Sequence, residues 1–199
     1  MKKYIKYIII LGIVIFLVVG LNWPGNDKIL KGKHMIEISI KEYGKMELEL
    51  DADTAPITVS NFINLINDKF YDGLTMHRII DGFMIQGGDP LGDGTGGSNE
   101  TIKGEFLNNG VKNNISHKRG VISMARSNDN NSASSQFFIV HQDSPHLDGS
   151  YAAFGKVTSG IEVVDKIVKS VSKYGDDNGL IPKDKQPIIE YIKVLEKGE

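Results

Sequence analysis

Met76-His77-Arg78-Ile79-Ile80-Asp81-Gly82-Phe83-Met84-Ile85-Gln86-Gly87, taken with Ser135-Gln136-Phe137-Phe138 about fifty residues later, is the stretch on which the reading of this chain turns. One guanidinium, one primary amide and several large apolar side chains recur along it at alternating positions. Alternation with period two puts such residues on one face of an extended chain, which suits a shallow apolar pocket with a polar rim. The competing reading is the ordinary core of a β protein, in which arginine and glutamine would each need a buried partner.

Upstream, Ile36, Ile38 and Ile40 alternate with Glu37, Ser39 and Lys41, and Met46, Leu48 and Leu50 with Glu47, Glu49 and Asp51, around Tyr43-Gly44. That pattern predicts an antiparallel hairpin with one buried face. After Pro56, Val59, Phe62, Ile63, Ile66 and Phe70 follow helical spacing, so an amphipathic helix is expected to end before Tyr71-Asp72-Gly73. The runs Arg78 to Gln86, Gly120 to Ala125, Gln136 to Val140, Ala152 to Val157 and Ile188 to Val194 are short and β-rich, separated by glycine- and asparagine-rich loops. Ser159-Gly160-Ile161-Glu162 has capping-box form and predicts a second helix through Ile161, Val164 and Val168.

The chain has 199 residues, 40% of them hydrophobic, enough for one substantial core and one globular domain. Its formal charge is −2, of which Lys2, Lys3 and Lys6 supply +3, leaving −5 on the remainder. A mildly acidic body argues against nucleic acid as a partner. With no cysteine, disulfides, thiol catalysis and cysteine-ligated zinc are excluded.

From Tyr7 to Asn26 there is no charge, and the three lysines precede the run. Crossing ~30 Å of hydrocarbon takes about 20 helical residues, a length that Tyr4 to Trp23 supplies if Lys6 snorkels to the interface. A cleaved signal peptide shares the charged start, but no alanine precedes Ala52 to form an Ala-x-Ala site, although Val18-Val19-Gly20 offers a candidate. An uncleaved anchor is therefore expected over residues 1–23 and a polar linker over 24–34, followed by the domain over 35–199. Lysines ahead of the apolar run place that domain on the extracytoplasmic side of the cell membrane, single-pass, or secreted if the segment is a cleaved signal.

The opening stretch, Ser135-Gln136-Phe137-Phe138, Gly87-Gly88-Asp89-Pro90, the glycine run Gly92 to Gly97 and Phe154-Gly155-Lys156-Val157 together resemble the cyclophilin family of peptidyl-prolyl cis-trans isomerases. The resemblance runs from about Met35 to Leu195. It implies a mainly β fold, a closed eight-stranded antiparallel barrel capped by two α-helices, here preceded by an N-terminal hydrophobic helix. It also implies isomerase activity on X-Pro bonds, proline-containing segments of unfolded or partly folded proteins as partners, and no cofactor. Together with the anchor, it leads to a monomeric, membrane-tethered isomerase assisting the folding of exported proteins. A non-catalytic peptide-binding module using the same groove is the alternative of another class.

Other chemistries fare worse. Gly92, Gly94 and Gly97 formally satisfy G-x-G-x-x-G, but Ser98-Asn99-Glu100-Thr101 opens no helix, so a dinucleotide site is not supported. The five histidines lack metal-site spacing. Asp176-Asp177-Asn178-Gly179 reads as a solvated turn.

Rotation about X-Pro meets a barrier of ~18–20 kcal/mol that comes from amide resonance. Catalysis therefore needs only to stabilise the twisted amide, whose proline nitrogen has regained a lone pair. A guanidinium donating to that nitrogen does so selectively, because the planar amide offers it little basicity. The resemblance assigns this role to Arg78, the substrate-backbone contact to Gln86, and the proline pocket to Phe83, Met84, Phe138 and Leu147. Gln136 joins Gln86 in binding substrate, while Ala125 and Arg126 border the groove and meet the peptide through main-chain groups. His77 positions the arginine strand or packs neutrally in the core. Tyr151 stands where many members have histidine, Arg126 where asparagine is frequent, and His146 where many eukaryotic members have tryptophan, departures that bear on ligand preference.

Overall fold

The computed structural model describes residues 29–195, so the anchor or signal segment expected at the N-terminus lies outside the described residues. Among the described residues no helix is long and apolar enough to cross a membrane. The expected hairpin is formed by β1 (Lys33–Ile40) and β2 (Gly44–Asp51), paired so that Ile36 faces Leu48 and Ile38 faces Met46. All four side chains are buried, as period two requires of a strand with one core face. Helix α1 (Pro56–Asn67) follows, with proline in its first turn. It stops three residues short of Phe70 because the chain turns at Lys69, whose φ is 56°, yet Phe70 still packs on the core.

The run from Arg78 to Gln86 is not one strand. It is a hairpin of β3 (Thr75–Ile80) and β4 (Met84–Asp89), folded at Asp81-Gly82-Phe83, where Gly82 takes a φ of 75°. Then come β5 (Val121–Met124), β6 (Phe137–Val140), β7 (Ala153–Ser159), α2 (Glu162–Val171) and β8 (Ile189–Leu195). The capping box does not form, and α2 has no side-chain cap. Ser159 is instead the last residue of β7, paired with Glu47, and Gly160 with φ of 81° turns the chain into the helix.

The sheet runs in the order β3-β4-β6-β5-β7-β2-β1-β8, with every neighbouring pair antiparallel. It curls into a half-barrel rather than the expected closed one. Among the described residues the edges meet only through a bridge between Thr75 and Ile188 and a few hydrogen bonds, such as that from Gly73 N to Ile189 O at 2.8 Å. Further along β3 the edge is taken by a loop, where Ile79 N donates to Gly179 O and Ile181 N donates to His77 O, each at 2.8 Å. These donors would otherwise serve a closing ladder.

Inside the curl, Phe62 of α1 meets Phe137 edge-on at 5.3 Å and lies tilted against Phe154 at 5.1 Å, with the apolar faces of both helices filling the rest. The first turn of α1 is satisfied from a distance. The buried carboxylate of Glu105 accepts from Ile57 N, Thr58 N and Thr58 Oγ1 at 3.1, 2.8 and 2.7 Å, a cap that Ala55 has no side chain to provide.

Candidate active site

Strand register assembles the site. Arg78 on β3 is paired with Gln86 on β4, Gln86 with Phe138 on β6, and Phe138 with Ser123 on β5, so four strands contribute to one row. Side chains along β6 alternate. Phe137 and Ile139 enter the main core, while Phe138 and Val140 join a second apolar cluster with Met84, Leu147 and Ala153, against which Phe83, Ala125 and Tyr151 pack. That cluster floors an open cavity of about 490 Å³ whose wall includes His77, Arg78, Gln86 and Arg126.

Arg78 is held from both sides. Its Nε donates to Asn178 O at 2.7 Å and its Nη1 to Gln86 Oε1 at 3.3 Å, while Nη2 makes no hydrogen bond among the described residues. Burial pulls its pKa below the ordinary arginine value, opposed by Tyr151 and Asp176, and a guanidinium so far above neutrality stays charged. Gln86 is oriented in turn, since its Nε2 donates to Gln136 Oε1 at 2.8 Å. Gln136 Nε2 then donates to Gly96 O at 2.7 Å and to Gly94 O at 3.1 Å, tying the amide pair to the glycine loop. Buried Asp89 shapes that loop by accepting from Leu91 N, Asp93 N and Gly94 N. Burial alone would raise its pKa, but these backbone donors hold it below the usual carboxylate range.

Behind the floor, His117 stacks on Phe138 with ring centroids 6.0 Å apart. Its Nδ1 lies 2.9 Å from Asp148 Oδ1 and its Nε2 3.0 Å from Ser123 Oγ, which fixes the ring and through it the Phe138 face. Burial lowers the His117 pKa despite the opposing pull of Asp148. Tyr151 meets Phe138 edge-on at 5.9 Å. His77 is fully buried, and neither of its ring nitrogens has a hydrogen-bond partner among the described residues. Burial chiefly lowers its pKa, so it is neutral near pH 7, and its carbonyl anchors the loop beside Arg78.

The cavity thus gathers Arg78, Gln86, His77, Phe83, Met84, Ala125, Arg126, Phe138, Leu147 and Tyr151. Gln136 lies in an adjoining chamber of about 200 Å³. His146 does not line the cavity. It is exposed on the short turn Pro145–Leu147 and touches the site through Phe83, whose ring centroid is 5.4 Å from its own. The backbone N–H of Ala125 is committed to Gln136 O, so a peptide has only its carbonyl to meet there.

The wall also holds Asp93, Asp176, Asn178 and Leu180, none of which the sequence marks as a site residue. Asp176 to Gly179 does form a turn, with Asp176 Oδ1 accepting from Asn178 N and Leu180 N. It is no idle solvated turn, because its Asn178 carbonyl grips Arg78. Its Asx-type spacing was readable in the sequence, but its seat on β3 was not.

A family model described as cyclophilin type peptidyl-prolyl cis-trans isomerase/CLD matches residues 35–194. Peptidyl-prolyl cis-trans isomerase B of Bacillus subtilis is 50% identical over 123 residues, 62% of this chain and 82% of that protein. A peptidyl-prolyl cis-trans isomerase of Helicobacter pylori is 49% identical over 126 residues, 62% of this chain and 74% of that one. A crystal structure of a Cryptosporidium parvum cyclophilin type peptidyl-prolyl cis-trans isomerase is similar with a TM-score of 0.73 and 28% identity, covering 84% of this chain and all of that one. The same Cryptosporidium protein in the presence of the dipeptide Ala-Pro gives a TM-score of 0.72 at 29% identity, covering 82% of this chain and 99% of that one.

Proposed function

The chain belongs to the cyclophilin-type peptidyl-prolyl cis-trans isomerases, and we propose how its groove accelerates X-Pro rotation and where it works. The carrying observation is the Arg78 guanidinium, fixed by Asn178 O and Gln86 Oε1 at the rim of an apolar floor of Phe138, Met84 and Leu147. The proline ring occupies the floor. Rotation turns the carbonyl half of the amide, the nitrogen becomes pyramidal, and the remaining Arg78 N–H groups donate to its lone pair. An acceleration of ~10⁵ corresponds to about 7 kcal/mol, shared between this charge-assisted contact and orientation of the peptide.

Gln86 holds the substrate backbone with Gln136 behind it, Phe83 and Tyr151 close the pocket, and the carbonyl of Ala125 and the Arg126 edge border the groove. His77 acts as a neutral positioning residue through its carbonyl and packing. The substrate is a proline-containing peptide segment, a reading that the Ala-Pro dipeptide present with the Cryptosporidium relative supports for the family.

The chain acts as a monomer of bacterial type, tethered by residues 1–23 with the domain outside the cytoplasm, on unfolded or partly folded exported proteins. What supports this setting is the charge-free run behind Lys2, Lys3 and Lys6. Exchange NMR on a short Ala-Pro peptide tests the chemistry, and unaccelerated exchange with folded protein defeats it. Membrane fractionation with protease protection tests the setting, and a soluble mature protein beginning just after Gly20 would favour a cleaved signal.

A further inference from the structure

The second arginine of the groove has no part in the chemistry above, and its surroundings differ from those of Arg78. Arg126 is stacked between two rings, its guanidinium carbon 5.0 Å from the Phe106 centroid and 4.8 Å from that of Tyr151. Its Nε and Nη2 both donate to Ser150 O, at 3.0 and 2.8 Å, and its Nη1 donates to Ser127 O at 2.9 Å. Three of the five guanidinium N–H groups are thus engaged among the described residues, leaving one on each Nη for an incoming anion. No carboxylate among the described residues forms an ion pair with it. A cation already stacked and oriented loses little freedom when it binds an anion.

Arg126 also lines both the proline cavity and the adjoining chamber, which share Gln86, Gly94 and Ala125. The chamber wall adds hydroxyls from Thr95, Ser127, Ser132 and Ser134 and, among the described residues, carries no charged one besides Arg126. We propose that this chamber is a side-chain subsite for an acidic residue, so that the groove favours proline-containing segments with a glutamate or aspartate near the proline. The proposal rests on the isomerase reading above and names the substrate class of that site. Long-range charge works against such a preference, because the chain without Lys2, Lys3 and Lys6 carries −5. A gain from an acidic side chain would therefore have to come from a local contact.

The experiment measures kcat/KM by exchange NMR on an X-Pro peptide series. Glutamate is scanned over three positions before proline and two after, each compared with glutamine at the same place. At one position the glutamate peptide should be turned over about three- to tenfold better at low salt, with the ratio shrinking in ~0.5 M NaCl. In Arg126→Gln the ratio should fall to about one, and Arg126→Lys, which keeps charge without the fork, should restore it only in part. A ratio of one or less at every position in the wild-type protein overturns the subsite, as does a ratio that survives in folded Arg126→Gln. If no glutamine peptide is turned over, the isomerase reading fails instead. Equilibrium binding of the same peptide pairs to the wild-type protein then still decides the subsite.

Discussion

Replacing Arg78 separates its charge from its shape. Half-buried at the cavity rim, the side chain gives two of its hydrogen bonds to Asn178 O and Gln86 Oε1, and its Nη2 makes none among the described residues. A hydrogen bond from a charged donor is worth about 1.5–3 kcal/mol in a partly desolvated site. If that bond forms only when the proline nitrogen becomes pyramidal, its loss falls wholly on the transition state. Arg78→Ala should therefore lower kcat/KM by about one to two orders of magnitude, with little change in the peptide dissociation constant. Lysine supplies one ammonium that can satisfy either Asn178 O or the proline nitrogen but cannot span both, so Arg78→Lys should stay within about threefold of the alanine variant. The assay is exchange NMR on an Ala-Pro peptide, with circular dichroism and thermal melts to verify the fold. Near-wild-type exchange in a folded Arg78→Ala protein would falsify the assigned role, and full rescue by lysine would show that bare charge suffices.

Other perturbations probe what surrounds the arginine. Asp176→Ala removes the acceptor for Asn178 N and Leu180 N, loosening the carbonyl that holds Arg78, and should reduce kcat about three- to tenfold with KM little changed. Asp176→Asn keeps an acceptor oxygen and should recover most of that loss, whereas an equal defect in both variants would implicate the charge. Glu105→Ala strips three hydrogen bonds from the start of α1 and should cost about 3 kcal/mol, a fall in Tm of roughly 6–12 °C that calorimetry would read. An unchanged Tm would mean the helix end finds other partners. Stability should also fall on acidification below about pH 6.5. Burial holds the pKa values of His77 and His117 below their ordinary value of 6.5, so the unfolded chain binds protons there that the folded one refuses. Denaturant midpoints at about pH 7.5 and 5.5 would show the drop, and His77→Leu should lessen it, leaving the part that His117 contributes. A midpoint independent of pH over that range refutes the assignment.

Local pattern determined the elements, because both secondary-structure periods are written in nearest-neighbour order. Ile36, Ile38 and Ile40 against Met46, Leu48 and Leu50 could bury one face only as a hairpin, and Val59, Phe62, Ile63 and Ile66 only as a helix. The family resemblance marked Arg78, Gln86 and Phe138 together, and the alternation of β6 explains why Phe138 parts from Phe137 and Ile139. The tertiary structure alone decided what crosses long stretches of chain. Asn178 grips Arg78 from 100 residues away, Glu105 caps a helix 47 residues before it, and Asp148 pins His117 from 31 residues on. It alone also sandwiched Arg126 between Phe106 and Tyr151, and gave the β3 edge to residues 179–181 instead of a closing strand. Such contacts leave no periodicity in the sequence. They form because polar groups that folding removes from water must find partners among whatever the packed core brings beside them, and that depends on the path of the whole chain.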